Sequence, residues 1–581
     1  MTLSPSGGDD GAAIQAALDS CRPGAVVQLT AGTFHINGGG LWIRNSNCTL
    51  RGAGPGTGAG GGNFANDSLS NLHGGGTGTF LVKQDRVTNN NFPIISVGYA
   101  WNHVGGESGG GTAVNLATDA TLGAYSASNP GLQVDQLVLI DEDTCNYSEP
   151  DVFWWPTTPC GDVSHNWFSR MDRSLAQMME VTAINGNTVT FATPFHHTYH
   201  VANAAQLSTF EGPVLTGVGI EEIAFMGGGG GHGNVGLELC EYCWVKHVES
   251  YWTIGPSIAL AGCYRCEVRD SYIHETPQAV PGGGGYLFEI CCSGASENLV
   301  ENNIMWNGNK VVVMQASGGG NVVAYNYMDD AWGATYPSQP EAGANAGHYT
   351  TPHMELLEGN YTHKYDADSY WGNSIDITVF RNWLSGLRAG RGWLATYTSG
   401  GYPYADYGGL TGRNAVDILA YSYRHNLVGN VLGMAGQALL PLYNQGGVRL
   451  GPQAAFAFET LNNTAGWPGN LGLVSMWVIG ADQADQRLNS DGSWDWVANT
   501  YQTQLRDGNW DWVTKTQTWL GIGGTQSNPL GTPKSIPNSL YLTSRPAFFG
   551  LNTWPWVDPS TGTTYVLPAK ARFDAGTPNS P

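Results

Sequence analysis

Five segments decide the fold: LVENNIMW (299–306), VVAYNYMD (322–329), LLEGNYTH (356–363), TVFRNWLS (378–385) and NLVGNVLG (426–433). They stack when each asparagine is aligned with an aliphatic residue three positions before it. Val300, Val323, Leu357, Val379 and Leu427 then lead Asn303, Asn326, Asn360, Asn382 and Asn430, and EVRDSYIH (267–274) joins them through Val268 and Ser271. The closest spacings are 23 residues (303 to 326) and 22 (360 to 382), and the longer intervals read as the same unit carrying insertions. A period of about 22, built of short β runs and glycine turns, fits a parallel β-helix, whose coils each give three short strands and cannot bury an apolar face alone. Leucine-rich repeats have a similar length, but their leucine framework is absent. Stacked asparagines suit a turn, because each side-chain amide reaches the next coil about 4.8 Å away.

Composition agrees. The chain has 581 residues, with 82 Gly, 21 Trp and only 12% charged residues. Disordered glycine-rich chains lack such aromatics, so this one is folded, turn-rich and β-rich. A net charge of -22 argues against nucleic acid or an anionic membrane as partner, since nothing would neutralise phosphates. No apolar run approaches the roughly 18 to 20 residues that span a bilayer. Ten cysteines, an even count, suit an oxidising compartment. MTLSPSGGDD (1–10) has no charged and apolar leader, so the expectation is a secreted protein whose leader has been removed.

Near the N-terminus, DDGAAIQAALDSC (9–21) places Ile14, Ala17, Leu18 and Cys21 on one helical face behind Asp9 or Asp10 as N-cap. AVVQLTAGTFHI (25–36) and LWIRNSNCTLRGAG (41–54) follow as β runs separated by glycine turns. This opening resembles the start of the pectate-lyase-like superfamily of right-handed parallel β-helix proteins, in which a short helix plugs the first coil. The asparagine coils extend the resemblance to about residue 435. It implies an all-β solenoid and a carbohydrate-active or adhesive role, without choosing among lyases, hydrolases, isomerases and adhesins.

The expected organisation is an N-terminal cap and first coils (1–60), early coils with insertions (61–209), central coils with a glycan cleft (210–440), and last coils with a Trp-rich cap (441–581). In the tail, DGSWDWV (491–497) recurs as DGNWDWV (507–513). A docked cap over the last coil's edge is the first reading, and a carbohydrate-binding surface made of those tryptophans the second.

If strand alternation holds after each asparagine, the second residue faces inward and its neighbours face outward. Two outer columns result: Tyr272, Ile304, Tyr327, Tyr361 and Trp383, beside His274, Trp306, Asp329, His363 and Ser385. Aromatic faces stack on sugar rings and polar groups bond hydroxyls, so these columns are expected to form a glycan track. The competing reading folds loops over them as a second small core. Insertions after Asn326 and Asn382 would wall the cleft, adding Trp332, Arg388 and Arg391 as substrate contacts, and the loop YTHKYDADSYWG (361–372) between them would emerge into it with Trp371.

Hydrolysis needs two carboxyl groups, about 5 Å apart for retention and about 6.5 to 9.5 Å for inversion. The candidates are Asp329 and Asp330 on one coil with Asp366 and Asp368 on the next, and His363 beside them. Glu358 is a further candidate, with a turn-stabilising role as its alternative. No cofactor is required for this chemistry, although the same carboxylates suit Ca²⁺. Elimination on a uronate glycan is the rival, with Lys364, Arg381, Arg388, Arg391, His363 and Tyr361 as base or cation. The expected function is therefore a secreted, monomeric hydrolase of a neutral or weakly charged polysaccharide. A polysaccharide lyase is the second reading and a non-catalytic adhesin the third.

CEYC and CYRC give Cys240-x2-Cys243-x19-Cys263-x2-Cys266, a spacing that reads as zinc in a cytosolic chain. In an exported chain, stacked turn cysteines or intercoil disulfides are the expectation, with no metal. Cys291 and Cys292 continue that neighbourhood, and Cys21 with Cys48 would staple the N-terminal cap.

Overall fold

The computed structural model describes residues 1–57, 77–86, 88, 91–98, 111–128, 131–145, 152, 170, 172–210, 212–277, 284–292, 294–331, 343–368, 371–387, 398–399, 402–403, 411–412, 415–436, 438–439, 476–480, 498–512, 514–524 and 534–580. The amphipathic start forms a helix at Gly11–Asp19, and Ile14, Ala17 and Leu18 share one core with Val27, Leu29 and Leu41. Asp10 stands at its N-cap, yet its carboxylate accepts from the backbone N–H of Ser6 (2.8 Å) and His35 (3.0 Å). It thereby ties the helix to the first strands instead of capping it. The expected Cys21–Cys48 disulfide closes this end.

The strands then pair in parallel, each with its counterpart in the coils before and after, forming three stacks. In the first stack Glu267–Arg269, Leu299–Glu301, Val322–Ala324, Leu356–Glu358, Thr378–Phe380 and Asn426–Val428 follow one another. The second holds Tyr272–His274, Ile304–Gly308, Tyr327–Ala331, Tyr361–Thr362, Trp383–Leu384 and Val431–Leu432. The third holds Ile258–Tyr264, Phe288–Cys291, Val312–Gln315, Ala344–Tyr349, Tyr365–Ala367, Val416–Ile418 and Trp477–Ile479. Period-2 alternation sends one set of side chains inward, so a single apolar core runs from Ile14 to Ile479. This is an all-β parallel β-helix.

The corner between the first and second stacks explains the repeated asparagine. The residue before it is left-handed in coil after coil: Asp270 (φ 55), Asn302 (57), Tyr325 (55), Gly359 (65), Arg381 (50) and Gly429 (68). That bend leaves backbone groups without ladder partners, and the asparagine amides supply them. Asn303, Asn326, Asn360, Asn382 and Asn430 each donate Nδ2 to the Oδ1 of the next ladder residue, at 3.1, 3.0, 3.0, 3.2 and 2.9 Å. The last acceptor is Asn509, from within the repeated DGNWDWV motif. The tail therefore carries one more rung. Its strand Leu505–Asp511 pairs with both Asn426–Val428 and Val431–Leu432, and Thr516–Ile522 covers it antiparallel, blunting the open edge.

One region differs from expectation. The strands described between positions 113 and 208 are not coils: Ala113–Asn115, Gln206–Ser208, Leu137–Asp141, Ala176–Asn185, Thr188–Phe191 and Ser126–Ser128 form an antiparallel sheet in that order. The two-residue turn Gly186–Asn187 makes a hairpin that a coil cannot contain. This sheet has its own core of Val138, Ile140, Met179, Val181, Phe191, Phe195 and Tyr199, which reaches Ile375 and Tyr423 on the solenoid.

Candidate active site

In the third stack Phe288, Val312, Ala344, Tyr365 and Val416 lie in register in the core. The next residue of each strand faces outward, giving the column Glu289, Val313, Asn345, Asp366 and Asp417. Asn345 Nδ2 donates to Asp366 Oδ2 at 3.1 Å and to Asp368 Oδ2 at 2.7 Å, so two carboxylates approach within two hydrogen-bond lengths of each other. Lys310 Nζ lies 3.0 Å from Asp368 Oδ2, and Lys364 Nζ lies 2.8 Å from Asp417 Oδ2. His348 Nδ1 is 2.6 Å from Asp368 Oδ2, and its Nε2 is 3.2 Å from the Tyr286 hydroxyl. Lys310 Nζ also stands 2.9 Å from His348 Nδ1; in the tautomer with Nδ1–H the ring donates to Asp368 and accepts from Tyr286, and the ammonium is directed to Asp368. Asp417 Oδ1 is buried without a hydrogen-bond partner among the described residues.

The two bracketed carboxyls are driven apart in acidity. Burial raises Asp366 to about 7; Asp417 and Asp368 add to this, while Lys364 and Lys310 oppose it. Burial pushes Asp368 the same way but is overcome by His348 and Lys310 beside it and by hydrogen bonds from His348 and Asn345, which hold it below the carboxylate range. His348 is itself lowered by burial and Lys310, against the pull of Asp368, so it is neutral near pH 7. The Lys310 ammonium and the two hydrogen bonds then keep Asp368 ionised. Glu289, higher in the column, is pushed to about 8 by burial.

The other sequence candidates fall elsewhere. Asp329 and Asp330 sit on the second stack, in register with Trp306 and its neighbours, whereas Asp366 pairs with Asn345 and Asp417 on the third. The expected pairing of Asp329 and Asp330 with Asp366 and Asp368 in one column is thus corrected, because coils carry different stacks on different faces. Both are fully buried; Asp329 accepts from the Tyr327 hydroxyl (3.3 Å) and lies 3.9 Å from His363 Nδ1. Glu358 accepts from the Tyr325 hydroxyl (2.9 Å) and the Leu540 N–H (2.8 Å), which anchors the C-terminal segment and makes its role structural.

The aromatic column is in register as read: Tyr272, Ile304, Tyr327, Tyr361 and Trp383 face outward along the second stack. It is not exposed. The C-terminal segment lies over it, with the Phe573 ring 4.9 Å from Tyr327 and 5.6 Å from Trp306, and Trp556 6.4 Å from Trp383. Lys570 places its ammonium 5.3 Å from the Tyr327 ring. His274 is clamped between Glu249 and Glu275, and Asn579 Nδ2 donates to Glu249 at 2.7 Å. The expected glycan track is therefore a docking face for the chain's own end, since a strip of rings that large is costly to leave in water. Trp371 is half-buried, its carbonyl accepting from the Thr350 hydroxyl. Trp332, Arg388 and Arg391 lie outside the described residues.

Asn345, Lys310 and Asp417 escaped the sequence reading. Aligning the third strand of each coil, FEI, VVM, ANA, YDA and VDI, would have found Asn345 and Asp417 as polar centres between apolar neighbours.

Neither a family model nor a curated relative matches the sequence. Among solved structures the chain is similar to the tailspike gp49 of Pseudomonas phage LKA1, with 15% identity, TM-score 0.41 and coverage of 73% of this chain and 57% of that one. It is similar to the tailspike gp61 of Pseudomonas phage phi297 at 13% identity and TM-score 0.42, covering 74% of this chain and 59% of that one. The A-module of the mannuronan C-5 epimerase AlgE4 of Azotobacter vinelandii gives 10% identity and TM-score 0.30, covering 75% of this chain and 87% of that module. The chain thus spans less than two thirds of the tailspikes' length. Such distant likenesses carry no function, and the fold stands on the chain's own pairing. By its three registered parallel stacks, the protein has a parallel β-helix fold.

Proposed function

We propose that this protein is a glycan-cleaving enzyme working on the outer face of the third stack, with Asp366 as general acid and Asp368 as its ionised partner. One observation carries the reading: two carboxyls held by the same Asn345 amide, one protonated to about 7 and the other kept ionised. Divergent acidities in adjacent groups are the signature of an acid and base working together. Their separation suits the closer spacing of retaining hydrolysis, about 5 to 5.5 Å, better than the wider gap that admits a water. Asp368 would then attack the anomeric carbon while Asp366 protonates the leaving oxygen, and water would later release the sugar with Asp366 as base. Lys310 and Lys364 already neutralise the carboxylates, so this reading needs no Ca²⁺. The Cys21–Cys48 disulfide supports an extracellular setting.

Elimination is favoured by a different observation. His348 is neutral near pH 7 and stands beside the cation Lys310, the pairing needed to remove a proton next to a neutralised uronate carboxylate. Incubation with a panel of glycans separates the readings. New reducing ends without ultraviolet absorbance of an unsaturated product support hydrolysis, and their appearance with it supports elimination. Binding without either removes the enzyme reading.

A further inference from the structure

The four cysteines of the two C-x2-C pairs form no disulfide and converge inside the solenoid. Cys240 and Cys263 are register partners on successive coils of the third stack, and Cys243 and Cys266 follow at the same corner. Cys240 Sγ lies 3.7 Å from Cys263 Sγ and 3.8 Å from Cys266 Sγ, and the sulfurs of Cys240, Cys243 and Cys266 all lie within 4.8 Å of one another. Sulfurs around a tetrahedral zinc, with Zn–S bonds near 2.3 Å, stand about 3.8 Å apart along each edge. The x2, x19, x2 spacing now has its geometric cause: one coil brings each pair back over the last, and the left-handed Tyr242 (φ 53) and Arg265 (φ 51) fold each pair into the same tight bend.

We infer that Cys240, Cys243 and Cys266 form the preformed face of a thiolate site for a single tetrahedral divalent metal, zinc before others, which Cys263, 3.7 Å from Cys240, completes as fourth ligand by a small shift of its side chain, pinning two successive coils from within. Soft thiolates in a closed, four-coordinate set select zinc over the hard cations that oxygen ligands take. On binding, each thiol releases its proton to solvent and its sulfur lone pair forms the metal bond, with no change of oxidation state. The Val218 backbone N–H, 3.3 Å from Cys243 Sγ, already supplies the outer hydrogen bond that stabilises a coordinated thiolate. The site lies on coils preceding the Asp366 cluster and is independent of the proposed catalysis. The expected intercoil disulfides are the alternative occupants of the same space.

The full-length protein, purified without chelator, is analysed for metal by mass spectrometry and for free thiols by alkylation after denaturation. The expected result is about one equivalent of zinc per chain and four alkylated thiols once the metal is removed. Replacement by Co²⁺ should give the visible bands of tetrahedral thiolate coordination, and these should be lost in Cys263→Ser and in Cys266→Ser. Should a serine variant fail to fold, the metal count and cobalt spectrum of the unaltered protein decide. A folded, metal-free protein with four free thiols that gives no cobalt spectrum overturns the inference. So does a protein in which the four cysteines are two disulfides.

Discussion

Truncating the middle of the asparagine ladder tests the register on which every placement depends. Asn360 is buried, and its Nδ2 donates to the Val323 carbonyl (2.8 Å) and to Asn382 Oδ1 (3.0 Å). Its Oδ1 accepts both the backbone N–H and the side-chain amide of Asn326, each at 3.0 Å. In Asn360→Ala the Asn326 amide keeps the Val300 carbonyl (2.9 Å), and Asn382 Oδ1 keeps the Asn360 N–H (2.8 Å). The Asn326 N–H is left buried without its acceptor, and the Val323 carbonyl loses its amide donor. An orphaned buried group costs about 1 to 3 kcal/mol and each further lost bond about 1, so the expected loss is about 3 to 5 kcal/mol. Urea midpoints compared at equal m-value measure it, with Asn45→Ala as control. Asn45 donates to the Leu18 and Asp19 carbonyls near the surface, where water replaces it, so its loss should stay under about 1 kcal/mol. If the two variants lose the same small amount, the ladder does not hold the corner together and the account of the repeat is wrong.

Asp366→Asn should lower kcat about 10² to 10⁴-fold on any glycan the protein cleaves, with unchanged circular dichroism, because the amide cannot donate an acidic proton. Since Asp366 is protonated only below about 7, the rate should fall as pH rises through that value; a profile still rising there contradicts its role as acid. Glu289 holds its proton to about 8 when folded, whereas the unfolded chain loses it near the ordinary glutamate value. Folding takes up a proton between those values, so stability declines with rising pH across that window by up to about 1.4 kcal/mol per unit, and Glu289→Gln should flatten the slope. Arg381 donates to the carbonyls of Ile536 (3.1 Å), Pro537 (2.7 Å) and Val557 (2.9 Å), so Arg381→Ala should speed limited proteolysis of the C-terminal segment while the coils resist.

The asparagine ladder was legible because it is a local requirement repeated: every left-handed corner leaves the same backbone groups to satisfy, and the same residue answers each time. The register of the aromatic column followed directly. Its exposure did not, because alternation says which way Tyr327 points but not that Phe573, some 240 positions later, returns to lie on it. Asp329 and Asp366 were misjoined for a related reason: a repeat period places residues along a stack, while the number of residues spent at each corner decides which stack they occupy.

What the sequence determined by itself is the solenoid, since periodic side chains bury themselves only by stacking on copies of the same unit. The tertiary structure alone decided which outward faces stay open. The C-terminal segment closed the second stack over its rings, leaving the acids of the third as the candidate site, and the coil rise brought the sulfurs of Cys240, Cys243 and Cys266 within 4.8 Å of one another. Both outcomes depend on contacts between segments far apart in the chain, whose energies no local pattern encodes.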